Sequence, residues 1–120
     1  MVEKAKVYIA EDNADWRSSI KGLLEDAGHT VVGEASSKQK ALSAVPKFKE
    51  LGVQIATLDA NLDDPADTSG KDGQEILAAI RASAPGVKTI GIADRPFPGV
   101  DVDLRKGNVS NIGEVVKGFK

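Results

Sequence analysis

Residues 55–62, Ile55-Ala-Thr-Leu-Asp-Ala-Asn-Leu62, open as an apolar run and close on a carboxylate followed by a polar loop. The run from Val53 to Leu58 is too short for a helix and lacks helical spacing, so it reads as a strand buried on both faces. Asp59 stands where that strand stops. In an open α/β sheet, ligands bind in the crevice beyond the carboxyl ends of the strands, so an acid there is poorly placed for packing and well placed for chemistry. Asp59 is therefore the candidate reactive residue.

Upstream, the same pattern opens the chain: Lys6 to Ala10 (KVYIA) is an apolar run closed by Glu11 and Asp12. Trp16, Ile20, Leu23, Leu24 and Ala27 then recur at the spacing of one helical face, with Asn13 as a cap and Gly28 as the stop. Thr30 to Ala35 is a second strand. Ser36 and Ser37 are capping candidates for a second helix that puts Ala41, Val45 and Phe48 on one face, ends near Gly52 and should be distorted by Pro46.

Downstream of Asp59, residues 63–73 (DDPADTSGKDG) carry loop chemistry. A third helix follows, with Ile76, Leu77 and Ile80 inward. Val87 to Ala93 is a fourth strand, and Val100 to Leu104 a short fifth whose Asp101 and Asp103 mark a partly solvated edge. Between them, DRPFPG (94–99) contains two prolines and a glycine and leaves no full helix. Lys106 follows the fifth strand directly. Ile112, Val115, Val116 and Phe119 give a short final helix despite Gly113 and Gly118. Strands alternating with helices predict a parallel sheet with right-handed crossovers and helices on both faces.

A chain of 120 residues that is 41% hydrophobic fits one domain, 1–120, able to bury a core without staples. The absence of cysteine removes disulfides, thiolate metal sites and thiol nucleophiles. No apolar run approaches the roughly 20 residues that span a bilayer, so the expectation is a cytoplasmic protein without membrane contact. Sixteen basic residues against 18 acidic ones, no dense Lys/Arg block and few aromatics argue against direct nucleic-acid binding.

The ends of strands one, three and five thus carry Glu11, Asp12, Asp59 and Lys106. Neighbouring strands lie about 4.8 Å apart, so their terminal carboxylates converge and would repel each other if left bare. A hard divalent cation resolves that conflict, and Mg2+ takes one or two carboxylates with phosphate oxygens and water. Lys106 can balance charge and hold a phosphate as a point charge. Together they describe a carboxylate nucleophile beside a metal, suited to accepting a phosphoryl group.

Four motifs in this order resemble the receiver domain of two-component response regulators over nearly the whole chain: VYIAEDN (7–13), ATLDANL (56–62), DGQEILAAIR (72–81) and Lys106. The resemblance implies a doubly wound five-stranded parallel α/β sheet of the flavodoxin/CheY-like type, order 2-1-3-4-5, with the fourth helix shortened or absent. It implies that Asp59 takes a phosphoryl group from a phosphohistidine on a sensor histidine kinase or phosphotransfer protein. Glu11, Asp12, Asp59 and the backbone carbonyl of Asn61 would hold Mg2+, Lys106 would contact the phosphate, and a downstream protein would read the result.

Three departures stand against that pattern. The family's Ser or Thr at the end of strand four aligns with Ala93, with Thr89 too far back to replace it; the inward-turning aromatic three before the lysine is Asp103. Only 12 residues (94–105) separate Ala93 from Lys106, too few for a fourth helix and a fifth strand. A pseudo-receiver, the same fold used as an interaction module without phosphorylation, is the alternative. A phosphohydrolase using Asp59 would need a general acid where Asn61 stands, and a cap for which no segment is available.

Other polar residues carry plainer readings. Asp63, Asp64 and Asp67 are solvated loop acids, Arg95 a surface residue and His29 an unremarkable loop residue. Trp16 belongs to the apolar helical face, close enough to the acid pocket to serve as a fluorescent reporter.

Overall fold

The computed structural model describes residues 4–59, 71–93 and 97–118. Strands β1 (Lys6–Ala10), β2 (Thr30–Ala35), β3 (Ile55–Leu58), β4 (Lys88–Gly91) and β5 (Val102–Asp103) form one sheet in the order β2-β1-β3-β4-β5. Every adjacent pair is parallel. The order places the ends of β1 and β3 side by side at the centre, which is the expected doubly wound arrangement.

The helices are α1 (Ala14–Asp26), α2 (Lys38–Ala44), α3 (Phe48–Leu51), α4 (Lys71–Ser83) and α5 (Ile112–Gly118). They cover two hydrophobic clusters. One face of the sheet packs Tyr8, Ala56 and Leu58 against Phe48, Ile76 and Ile80; the other packs Ile9, Ile55 and Ile90 against Ile20, Leu24, Ile112 and Val116. The strict alternation of Ile55, Ala56 and Leu58 between clusters is the strand period at work.

Local chemistry sets the element ends. The Asn13 side chain accepts from Trp16 N to cap α1, and Ser37 caps α2 through Lys40 N. Pro46 removes a backbone donor, and the chain answers with a 3-10 turn, Val45–Lys47, that joins α2 to α3 and keeps Ala41, Val45 and Phe48 buried. Gly52 ends α3 at a φ of 71°.

Three strands are shorter than their apolar runs. Val53 is buried but belongs to the turn, its amide bonded to Phe48 O, so β3 starts at Ile55. β4 covers 88–91 of the apolar run 87–93. β5 is two residues long, and just before it Asp101 grips Thr89 twice over, its amide donating to Thr89 O at 3.1 Å and its carboxylate accepting from Thr89 N at 2.7 Å. Among the described residues no helix lies between β4 and β5. Buried Phe97 covers that part of the sheet instead.

His29 corrects the reading of a plain loop residue. It is buried; Nδ1 accepts from Ala5 N at 3.0 Å and Nε2 lies 3.4 Å from Gly113 O, tying β1, α1 and α5 together. The helices can approach there because residue 113 has no side chain: a Cβ would stand 2.6 Å from the Ala27 Cβ.

Candidate functional site

Two strand ends deliver the acids. Asp59 N donates to Ala10 O and Glu11 N to Ala35 O, each at 3.0 Å, so the ladders run one residue past β3 and β1 and fix both backbones. Glu11, Asp12 and Asp59 offer oxygens that all lie within 4.8 Å of one another. Glu11 is 1% exposed and Asp59 6%. The sequence brought these three together correctly.

Lys106 completes the cluster from the end of β5. Its Nζ stands 3.3 Å from Asp59 Oδ2 and 3.6 Å from Glu11 Oε1, and 5.4 Å from the centroid of the Trp16 ring. Trp16 is half-buried at the rim of the acid pocket, where its ring meets the lysine cation. Asn61, Asp63, Asp64, Asp67 and Arg95 lie outside the described residues.

Electrostatics mark Glu11 as the uncomfortable member. Burial first, then hydrogen bonding and repulsion from Asp59, push its carboxyl up to about 9. Glu11 Oε2 accepts from Asn13 N at 3.2 Å, whereas Oε1 accepts no hydrogen bond among the described residues. A buried carboxylate oxygen that accepts no hydrogen bond, with Lys106 Nζ at 3.6 Å and two other carboxylates within 4.8 Å, belongs to a set that suits a hard cation.

Arg17 was not evident from sequence. Its Nη1 donates to Glu11 O at 2.9 Å and to Asp12 O at 3.4 Å, bracing the loop that carries the acid pair, and Nε pairs with Glu34 at 3.5 Å. The signal available was its place on the first turn of α1, one residue after Trp16.

The register of β4 sets which way the residues at its end face. Leu58 pairs with Gly91 and Ile92 N donates to Leu58 O at 2.8 Å, so the same register carried one residue on sets Ile92 level with Asp59 and Ala93 one residue beyond. Ile92 is buried in the cluster that holds Ile55, four residues before Asp59 and on the same strand face; Ala93 is buried in the opposite cluster. Neither residue carries a hydroxyl. Thr89 pairs with Ala56, three residues before Asp59, and is buried, exchanging hydrogen bonds with Asp101.

Asp103 and Arg105 shape the approach to Lys106. Asp103 Oδ2 accepts from Phe97 N at 3.1 Å, and Arg105 Nε lies 3.2 Å from both Asp103 carboxylate oxygens. Arg105 has a φ of 67°, and is the one non-glycine with positive φ among the described residues. Such a conformation stores about 1–3 kcal/mol.

Comparison with known proteins gives the same picture. No family model matches the chain. It is 32% identical over 115 residues to the chemotaxis protein CheY of Listeria monocytogenes, covering 96% of this chain and 87% of that protein. CheY of Thermotoga maritima is 37% identical over 57 residues, covering 48% of this chain and 45% of that protein. Among solved structures, a CheY-like receiver domain from Methanospirillum hungatei superposes with a TM-score of 0.75 at 22% identity, over 94% of this chain and 90% of that one. The signal receiver domain of a modulated diguanylate cyclase from Desulfovibrio desulfuricans gives 0.74 at 20% identity, over 94% and 90%. With its sheet order, its strand-end acids and its lysine, the chain belongs to the CheY-like receiver domains of two-component response regulators.

Proposed function

We propose that this receiver domain accepts a phosphoryl group on Asp59, with Mg2+ held by Glu11, Asp12 and Asp59. The observation that carries this reading is the convergence of three carboxylates within 4.8 Å around a buried Glu11 oxygen that accepts no hydrogen bond, with Lys106 at 3.3 Å from Asp59. A carboxylate oxygen of Asp59 attacks phosphorus, the bond from phosphorus to the donor's imidazole nitrogen breaks, and an acyl phosphate forms. The cation supplies charge neutralisation between the acids and the incoming phosphoryl oxygens. Lys106, already aimed at Asp59, holds the transferred group as a fixed cation. The donor is a histidine kinase or phosphotransfer protein, and a downstream protein reads the product in the cytoplasm.

A second reading is favoured by two observations. Both candidate positions at the end of β4, Ile92 and Ala93, lack a hydroxyl, and Asp103 replaces the aromatic residue. The same surface then serves as a docking module without chemistry.

Intact mass after incubation with acetyl phosphate and Mg2+ separates the two. The first reading expects a phosphoryl adduct on the wild type that is absent in Asp59→Asn and in excess chelator. A folded wild type that binds no Mg2+ and forms no adduct would sink it in favour of the docking module.

A further inference from the structure

We infer that Asp103 is a positioning residue for Lys106: its carboxylate, anchored to Phe97, holds the strained turn at Arg105 from which Lys106 reaches the acids. The inference rests on the reading of Lys106 as the phosphate contact.

Backbone geometry defines the problem. Leu104 N donates to Gly91 O at 2.8 Å and Lys106 N to Ala93 O at 3.0 Å, so the residues on both sides of Arg105 are pinned to the strand beside them. Arg105 between them takes a φ of 67°, where an L side chain is disfavoured and a glycine would be at ease. The sequence places its glycine at 107 instead. Something must hold the arginine in that conformation.

Asp103 does so. Arg105 Nε lies 3.2 Å from each Asp103 carboxylate oxygen, and Phe97 N donates to Oδ2 at 3.1 Å. Phe97 is 3% exposed and packed into the core, so the carboxylate hangs from a fixed point. An exposed ion pair alone is too weak to maintain strain of this kind; one tied to a core residue and two ladder bonds can. The lysine then leaves the turn with its Nζ already beside Asp59 and over Trp16. A long flexible side chain is thereby preorganised by its own backbone.

Amine labelling tests this directly. Wild type, Asp103→Ala, Arg105→Gly and the double variant are reductively methylated, and peptide mass gives the labelling rates of Lys106 and of exposed Lys88. Arg105→Gly relieves the φ penalty, so its turn needs no holding contact, and adding it to Asp103→Ala separates loss of the contact from unfolding. Expected is a rise in Lys106 labelling of about threefold in Asp103→Ala, the scale of losing one exposed ion pair, and the wild-type rate in Arg105→Gly and in Asp103→Ala with Arg105→Gly, with Lys88 unchanged throughout. Slower adduct formation on Asp59 should accompany it. Lys106 labelling at the wild-type rate in Asp103→Ala, or a rise that persists when Arg105→Gly is added to it, would overturn the inference. Should wild type form no adduct while Lys106 labelling still rises, positioning stands and the phosphoacceptor reading fails.

Discussion

Gly91 of β4 gives its missing side chain's space to Phe97: a Cβ there would stand 2.9 Å from the Phe97 Cβ and 3.0 Å from its Cγ. One aromatic ring thus packs on the sheet from a connection that, among the described residues, holds no helix of its own. Gly91→Ala should destabilise the fold by about 1–3 kcal/mol through overpacking, and Phe97→Ala by about 3–5 kcal/mol through the cavity it leaves. Urea unfolding measures both. The double variant should cost less than the sum, because an alanine at 91 partly fills the space vacated at 97.

Glu11 links cation binding to pH. Its carboxyl, ordinarily near 4.5, is pushed up to about 9 by burial and by Asp59, so the folded protein holds a proton that the unfolded chain has released across that window. Stability in chelator therefore falls as pH rises from about 4.5 towards 9, by at most about 1.4 kcal/mol per pH unit for one proton. A cation must displace the same proton, so Mg2+ affinity should rise with pH by up to about tenfold per unit over the neutral range. Calorimetry in two buffers of different ionisation enthalpy should count about one proton released per ion. Glu11→Gln should flatten the stability slope.

Asp101 shifts in the other sense. Burial raises its carboxyl, but hydrogen bonds from Thr89 and the Arg81 guanidinium outweigh burial and hold it below the ordinary range. That contribution is present above the ordinary aspartate value and fades as pH falls through the lowered one. Alkaline loss and acid loss thus have separate owners.

Much of this was legible from residue types. Apolar runs closed by acids, at 6–12 and 55–59, gave the two central strands and the acid cluster, because burial on both faces and a polar strand end leave a plain signature. Pro46 foretold its own distortion. What escaped depended on register and on long-range pairing. Which cluster Ile92 and Ala93 each join is set by the register of β4 on β3, and one residue's slip changes the face. His29 looked like a loop residue because its partners, Ala5 and Gly113, are 24 and 84 residues away. Arg17 reads as any polar helix position until the loop it braces is in place.

Arg17 should matter to the cation without touching it. Removing its hydrogen bonds to Glu11 O and Asp12 O frees the loop that aims two of the three acids. Arg17→Ala should weaken Mg2+ binding by about tenfold, the scale seen when supporting bonds behind metal ligands are lost. Lys21 shares the Glu34 partner at 3.7 Å, so Lys21→Ala is the control for lost surface charge. Its Mg2+ affinity, read from Trp16 fluorescence or calorimetry, should match the wild type.

The β4 register makes a claim that two substitutions can separate. If Ile92 is the neighbour of Asp59 on the side facing α1, a hydroxyl placed there can reach a phosphoryl mimic, while one at Ala93 faces the opposite cluster with Phe97. Ile92→Thr keeps the branched shape and should tighten beryllofluoride binding by about tenfold, the low end for a hydrogen bond to a charged group. Both Ile92→Thr and Ala93→Thr bury a hydroxyl without a partner in the unmodified state, so each should cost about 1–3 kcal/mol of stability. Ala93→Thr should show that cost with no gain in the mimic's affinity. Titration of both variants with beryllofluoride and Mg2+ decides. A gain confined to Ala93→Thr would mean that the chain departs from the strand ladder after Gly91 and that Ala93 is the residue facing Asp59.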